Sequence, residues 1–158
     1  KTIEEENFNN YKKICMLIGT AKCDFKCCKE QNLPLSTCQN NSLFKQETKE
    51  ISNENILNRY INNSFSSSIV IGGLEPFLQF DEILDFIKTA RVTYKIEDDI
   101  VIYTGYYPDE INKELEQLKK YKNIYIKFGR FIPGHKPHFD EELGINLASD
   151  NQIGVKIS

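Results

Sequence analysis

Four short apolar runs, separated by segments long enough to form helices, constrain the fold of this chain most strongly. They lie at residues 12–19, 68–73, 99–104 and 123–128. Short, nearly continuous apolar runs are typical of strands buried on both faces of a parallel sheet. The pattern predicts an α/β fold, either a small partial (β/α) barrel or an open, mostly parallel sheet with helices on the outside. A last strand is predicted at residues 154–157.

Three amphipathic stretches predict the helices between these strands. The first runs from Ile51 to Ile61 with Ser52 as its cap. The second runs from Phe80 to about Thr93, and the third from Pro108 to Lys120 with proline in its first turn. Residues 1–10 are acidic and rich in asparagine, and we predict an irregular arm there. The length of 158 residues predicts a single domain over residues 1–158.

Charge and hydropathy argue against nucleic-acid and membrane partners. The net charge is −3 and the sequence pI is about 5.5, so a broad nucleic-acid-binding face is not expected. No apolar run approaches the roughly 18–20 residues needed to cross a bilayer, and residues 1–10 lack the apolar core of a signal peptide. These features predict a cytoplasmic protein with no membrane or nucleic-acid partner, in a compartment that keeps thiols reduced.

Four of the five cysteines lie within 16 residues, in a segment at residues 20–49 that we call the cysteine loop. In a reducing compartment such clustering favours metal or redox chemistry over disulfides. Cys23, Cys27 and Cys38 are the candidate ligands, because three thiolates on a four-iron cluster leave one iron open to bind a substrate. A structural zinc site and unrelated thiols remain alternatives, although zinc usually takes two close cysteine pairs or histidine partners.

Further polar, glycine-bearing motifs follow the predicted strands, where ligands of α/β sheets bind. GGLEP spans Gly72 to Pro76, TGYYP follows the third strand, and FGRF follows the fourth. Glycines at a strand end allow a ligand to approach the backbone closely, and Glu75 is then placed to meet an ammonium group. The alternative is an ordinary junction between a strand and a helix, with Glu75 solvated.

In their order, these motifs resemble those of the radical S-adenosylmethionine superfamily, and within it the anaerobic ribonucleoside-triphosphate reductase activating proteins. The family has C-x3-C-x2-C followed by His-Asn, then GG-[DE]-P, TGY, DGRF and GSSNQ. The corresponding segments here are Cys23 to Asn40, GGLEP, VIYTGYYPDEI, IKFGRFI and LASDNQ. The resemblance covers nearly the whole chain.

The cysteine spacing differs from that family motif. Ten residues separate Cys27 from Cys38, where the family has x2, and Thr37 stands where an aromatic residue is frequent. Cys28 is adjacent to Cys27 and is an alternative ligand; the x3 spacing from Cys23 favours Cys27.

The resemblance implies a [4Fe–4S] cluster held by Cys23, Cys27 and Cys38, with S-adenosylmethionine as the second cofactor. It further implies reductive cleavage of S-adenosylmethionine to a 5′-deoxyadenosyl radical, with no catalytic side chain. The implied partners are a glycyl-radical enzyme, such as the large subunit of anaerobic ribonucleotide reductase, and a one-electron donor such as flavodoxin or ferredoxin.

The resemblance also implies a cofactor pocket. Its expected residues are Gly72, Gly73 and Glu75 around the methionine ammonium group, Thr104 and Tyr106 on the ribose or adenine side, and Asn151 in the same pocket. The alternative function is a metal- or cluster-stapled binding or adaptor module that has this fold and no catalytic activity.

Overall fold

Four parallel strands form the centre of a six-stranded sheet in the computed structural model, which describes residues 1–158. The strands of the chain are β1 (Thr2–Asn7), β2 (Cys15–Gly19), β3 (Ser68–Gly72), β4 (Asp99–Tyr103), β5 (Ile124–Phe128), β6 (His138–Asp140), β7 (Ile145–Leu147) and β8 (Ile153–Lys156). The order in the sheet is β1-β2-β3-β4-β5-β8, and only the two edge strands are antiparallel to their neighbours. The sheet does not close into a barrel, so the predicted open, mostly parallel α/β architecture is confirmed.

The register of the central strands brings their carboxyl ends to one edge of the sheet. Gly19 of β2 lies opposite Gly72 of β3, and Tyr103 of β4 lies opposite Lys127 of β5. The segments that follow β2, β3, β4 and β5 therefore meet at this edge. One of these segments is the cysteine loop.

Five α-helices accompany the sheet: α1 (Lys26–Glu30), α2 (Asn41–Lys45), α3 (Asn53–Asn62), α4 (Phe80–Lys88) and α5 (Asn112–Leu118). The three predicted helices are confirmed with shifted ends. The Ser52 side chain accepts a hydrogen bond of 3.3 Å from the backbone of Asn55 and so caps α3. A π-helical turn at Thr89–Thr93 extends α4, and a 3-10 turn at Pro108–Glu110 precedes α5. No helix is both long and apolar enough to cross a membrane.

The two faces of the sheet are covered differently. Side chains of α3, α4 and α5 pack with alternate residues of the strands, among them Ile71, Ile102 and Ile126, in a core of 18 buried residues. The opposite face carries a smaller core of seven buried residues, which includes Tyr11, Tyr125 and Leu143 and is covered partly by the β6–β7 hairpin. We call this second surface the inner face.

The prediction of an irregular arm at residues 1–10 was wrong, because Thr2–Asn7 forms β1 and pairs antiparallel with β2. The backbone nitrogen of Lys1 also donates a 2.7 Å hydrogen bond to the carbonyl of Gly19. An edge strand exposes one side to water and tolerates charged side chains there, which is why an acidic composition did not prevent strand formation. Glu4, Glu5 and Glu6 are all exposed.

Gly154 in β8 allows the β6–β7 hairpin to pack against the sheet. A Cβ atom at this position would lie 2.6 Å from Oδ1 of Asp140 and would also clash with Leu143. We expect Gly154→Ala to lower the free energy of unfolding by about 1–3 kcal/mol, the usual cost of overpacking a core. Urea denaturation would measure this. Gly105→Ala is the matched control, since its nearest contact would be an ordinary 3.6 Å, and equal stability of the two variants would contradict the expectation.

Candidate metal centre

A cavity of about 260 Å³ opens at the carboxyl edge of the parallel strands. Its wall includes Cys23, Cys27 and Cys38 from the cysteine loop, together with residues at or just after the carboxyl ends of β3, β4 and β5. The volume is slightly below the roughly 300–1,000 Å³ of typical small-molecule sites. The cavity is therefore suited to a compact group and a small ligand, and it offers little room for a large substrate.

The three candidate thiols are half-buried and close enough to influence one another. The pKa of Cys23 is raised to about 12, mainly by burial, with smaller contributions from the neighbouring Cys27 and Cys38. Burial likewise raises the pKa of Cys27 to about 11 and raises that of Cys38. All three are thus protonated thiols at neutral pH without iron, and binding a metal requires each ligand thiol to lose its proton.

Cys28 also lies in the wall of the cavity but is more deeply buried, with 4 % of its surface exposed. Its proximity contributes to the raised pKa of Cys27, its neighbour in α1, after the larger effect of burial. Cys15 is fully buried in β2, on the inner face. Burial raises the pKa of Cys15 to about 12, consistent with a packed core thiol.

Ion pairs hold α1, and with it Cys27, against the sheet. The buried Arg130 guanidinium donates hydrogen bonds of 2.6 and 2.9 Å to the carboxylate of Glu110 and lies 2.7 Å from a carboxylate oxygen of Glu30 in α1. The Gln31 amide adds a bridge, because it donates to the carbonyls of Cys27 and Phe131 at 2.7 and 3.0 Å. We call this set of contacts the α1 clamp.

Glu75 connects the ends of three segments around the cavity. One carboxylate oxygen accepts from the Thr104 hydroxyl at 2.8 Å, and the other accepts from the Gly105 backbone at 2.9 Å. Its own backbone N–H donates to the carbonyl of Lys22 in the cysteine loop at 2.8 Å. Burial raises the pKa of this carboxyl group, although its hydrogen bonds oppose that effect. A cation bound in the cavity would favour the ionised form.

Gly73 lets the second half of the cysteine loop close over the end of β3. Its φ angle is +83°, and an added Cβ would lie 2.5 Å from a methyl group of Leu43 in α2. Both the backbone angle and the contact require glycine. The contact brings α2, which follows Cys38, against the β3 end.

The structure brings some predicted pocket residues together and places others elsewhere. Gly73, Glu75 and Thr104 line the cavity with the three cysteines. Three others are not in its wall. The Tyr106 hydroxyl instead donates to Asp24 at 2.8 Å, the Asn151 amide donates to the carbonyl of Arg130 at 2.9 Å, and Gly72 pairs within the sheet.

Lys127 lines the cavity and was missed in the sequence, where it follows the apolar residues of β5. It is 8 % exposed, and its ammonium group donates to the carbonyl of Gly129 at 2.8 Å. The sequence feature that could have identified it is a lysine near the carboxyl end of an otherwise apolar strand. Burial lowers its pKa to about 8, against the opposing effect of Glu75 and Cys27.

The donor set suits an iron–sulfur cluster, because three thiols lie in the wall of one cavity. No three His, Cys, Asp or Glu side chains are arranged to hold a metal ion as they stand.

Comparison with known proteins gives one match. A family model described as a 4Fe-4S single cluster domain matches residues 13–153, which include all five cysteines and every cavity residue named above. Neither a curated protein nor a solved structure matches.

The α1 clamp gives a testable prediction. Arg130 lowers the pKa of Glu110 to about 2 through their hydrogen bonds. We expect Glu110→Gln to increase amide hydrogen exchange in residues 26–30 by about tenfold, since a hydrogen bond between charged groups contributes about 1.5–3 kcal/mol. Mass spectrometry of the protein without iron would measure the exchange.

Glu97→Gln is the control, because Glu97 is exposed and its carboxylate has no partner. Acidification of the wild-type protein should also release the clamp. The stabilising contribution of Glu110 is complete above its unfolded pKa of 4.5 and is lost as the pH falls toward 2. Unchanged exchange of residues 26–30 in Glu110→Gln would show that the ion pairs do not hold α1.

Proposed function

This chain belongs to the 4Fe-4S single cluster domain family, and on that premise we propose that Cys23, Cys27 and Cys38 each bind one iron of the cluster. Their shared position in the wall of one cavity supports this ligand set. Cys28 lies beside Cys27 and is the competing ligand. The smaller exposure of Cys28 favours Cys27.

We further propose that the cluster binds S-adenosylmethionine at its open iron, and that the chain is a radical S-adenosylmethionine enzyme. Once reduced by one electron, such a cluster supplies the cleavage of the sulfonium group to methionine and a 5′-deoxyadenosyl radical. The protein contributes geometry and exclusion of water. The single observation that carries the proposal is that Cys23, Cys27 and Cys38 share one cavity with Gly73, Glu75 and Thr104.

In this proposal Glu75 holds the ammonium group of the methionine moiety. Its carboxylate is fixed by Thr104, Gly105 and the backbone N–H of Phe77, so it is already oriented before a ligand arrives. A carboxylate has lone pairs for about four hydrogen bonds, and these three leave capacity for one more. Gly73 offers backbone carbonyl access beside it, and Thr104 lies on the side assigned to the ribose.

The hydrogen atom would come from a partner, most simply a glycyl-radical enzyme such as the large subunit of anaerobic ribonucleotide reductase. The cavity volume of about 260 Å³ supports this, because it leaves no space for a large third reactant inside the chain. A partner segment would reach the mouth of the cavity from outside. A flavodoxin or ferredoxin would supply the electron.

A second function class is a cluster-stapled adaptor that performs no chemistry. The ten residues between Cys27 and Cys38 favour it, because they depart from the x2 spacing of the resembled activating proteins. Anaerobic reconstitution followed by reduction and addition of S-adenosylmethionine separates the two functions. Formation of 5′-deoxyadenosine supports the enzyme, and its absence from a fully loaded, reduced sample supports the adaptor.

The ligand set is tested by single substitutions. We expect Cys23→Ala, Cys27→Ala and Cys38→Ala each to lose most of the iron and sulfide after reconstitution, since each removes one of three ligands. Cys28→Ala and the core variant Cys15→Ala should retain both. Iron and acid-labile sulfide analysis, with the visible absorption of the cluster, would measure this; loss of the cluster in Cys28→Ala but not in Cys27→Ala would reassign the ligand.

The role of Glu75 is tested separately. We expect Glu75→Gln to weaken S-adenosylmethionine binding by about tenfold, because one charge-assisted hydrogen bond of about 1.5–3 kcal/mol is lost. Iron content should be unchanged, and Glu75→Asp, which keeps the charge, should bind with intermediate affinity. Equilibrium binding to the reconstituted protein is the measurement, with Glu97→Gln as control. Wild-type affinity in Glu75→Gln would remove Glu75 from the binding site.

A further inference from the structure

The ammonium group of Lys127 lies in the wall of the cavity without a carboxylate partner. Lys127 is 8 % exposed, and its one hydrogen bond goes to the neutral carbonyl of Gly129. It makes no salt bridge, whereas Arg130, the other buried cation at this edge, is paired with Glu30 and Glu110. The charge of Arg130 is thus largely neutralised, while that of Lys127 is not.

The fold does not require a lysine at this position. Lys127 lies on the inner face, on which Val70, Val101 and Tyr125 form an apolar core. Burying an ammonium group without an anion is costly, and a strand position of this kind readily accepts an apolar residue. An ammonium group without an anionic partner in the cavity wall therefore indicates that the cavity binds a negatively charged group.

The group expected in the cavity is negatively charged. A [4Fe–4S] core of charge +2 with three cysteine thiolates has a net charge of −1, and addition of one electron makes it −2. Cys27 and Lys127 line the same cavity. Burial lowers the pKa of Lys127 to about 8, and the charge of Glu75 opposes this by favouring the protonated form.

We propose that the Lys127 ammonium group is the counter-charge of the cluster and raises its reduction potential. One electron from an external one-electron reductant enters the cluster, the reductant is oxidised, and no bond forms or breaks. A fixed positive charge in a poorly solvated cavity stabilises the added negative charge more than it would in water. Net charge close to the cluster is among the determinants of its potential. This inference rests on the proposed ligand set and does not depend on cleavage of S-adenosylmethionine.

The test compares the reduction potentials of reconstituted full-length variants. In an anaerobic redox titration followed by electron paramagnetic resonance, we expect Lys127→Met to make the cluster harder to reduce. A tenfold decrease in the reduction equilibrium is expected, which corresponds to about 59 mV for a one-electron couple. Lys127→Gln should shift the potential in the same direction, and it keeps a donor for the carbonyl of Gly129.

Lys29→Met is the matched control. Lys29 is an exposed lysine two residues after Cys27, so the substitution changes the net charge equally but removes a solvated charge. The potential of Lys29→Met should stay close to that of the wild-type protein. An unchanged potential in both Lys127 variants, or an equal shift in Lys29→Met, would overturn the inference.

Three further outcomes separate this inference from the proposed function. If the wild-type protein assembles a cluster and the potential depends on Lys127, the inference stands even when no 5′-deoxyadenosine forms. If Cys23, Cys27 and Cys38 prove not to be the ligands, the inference fails together with the ligand set on which it rests. If neither Lys127 variant assembles a cluster that the wild-type protein assembles, the lysine has a structural role and the inference is wrong.

Discussion

The carboxylate of Glu75 joins parts of the chain that are far apart in the sequence. The Glu75 carboxylate accepts hydrogen bonds from Thr104 and Gly105, which directly follow β4. The backbone N–H of Glu75 donates to the start of the cysteine loop. Parallel strands bring these segments to one edge, but the register of strands alone does not orient the loops that follow them. A buried carboxylate with several donors supplies that orientation, because leaving any of those groups unpaired would be costly.

Much of the fold was predictable from local patterns, and the exceptions have a common cause. The four central strands were found because each is buried on both faces and therefore nearly continuous in apolar residues. Strand β1 and the β6–β7 hairpin have no such pattern. They are short or charged, and pairing with a neighbour, not their own composition, determines their conformation.

The candidate site was predictable where its residues directly follow strands. Gly73, Glu75 and Thr104 are of this kind, and they line the cavity. Tyr106 lies further along the same turn and contacts Asp24, a partner that only the folded cysteine loop provides. Lys127 could not be predicted as a cavity residue from the sequence. A lysine in a strand is ordinarily read as solvent-facing, and only the three-dimensional structure shows that its side of the sheet is enclosed.

The filling of the inner face has a consequence for the order of events at this centre. Tyr11, Leu143 and Leu147 pack against the strands there, and the Tyr103 hydroxyl donates to the carbonyl of Asn10. These side chains fill the inner face, whereas the cavity opens at the carboxyl edge. In a cavity that opens at this edge, a group bound at the base would enter before any ligand bound nearer the mouth and would leave after it.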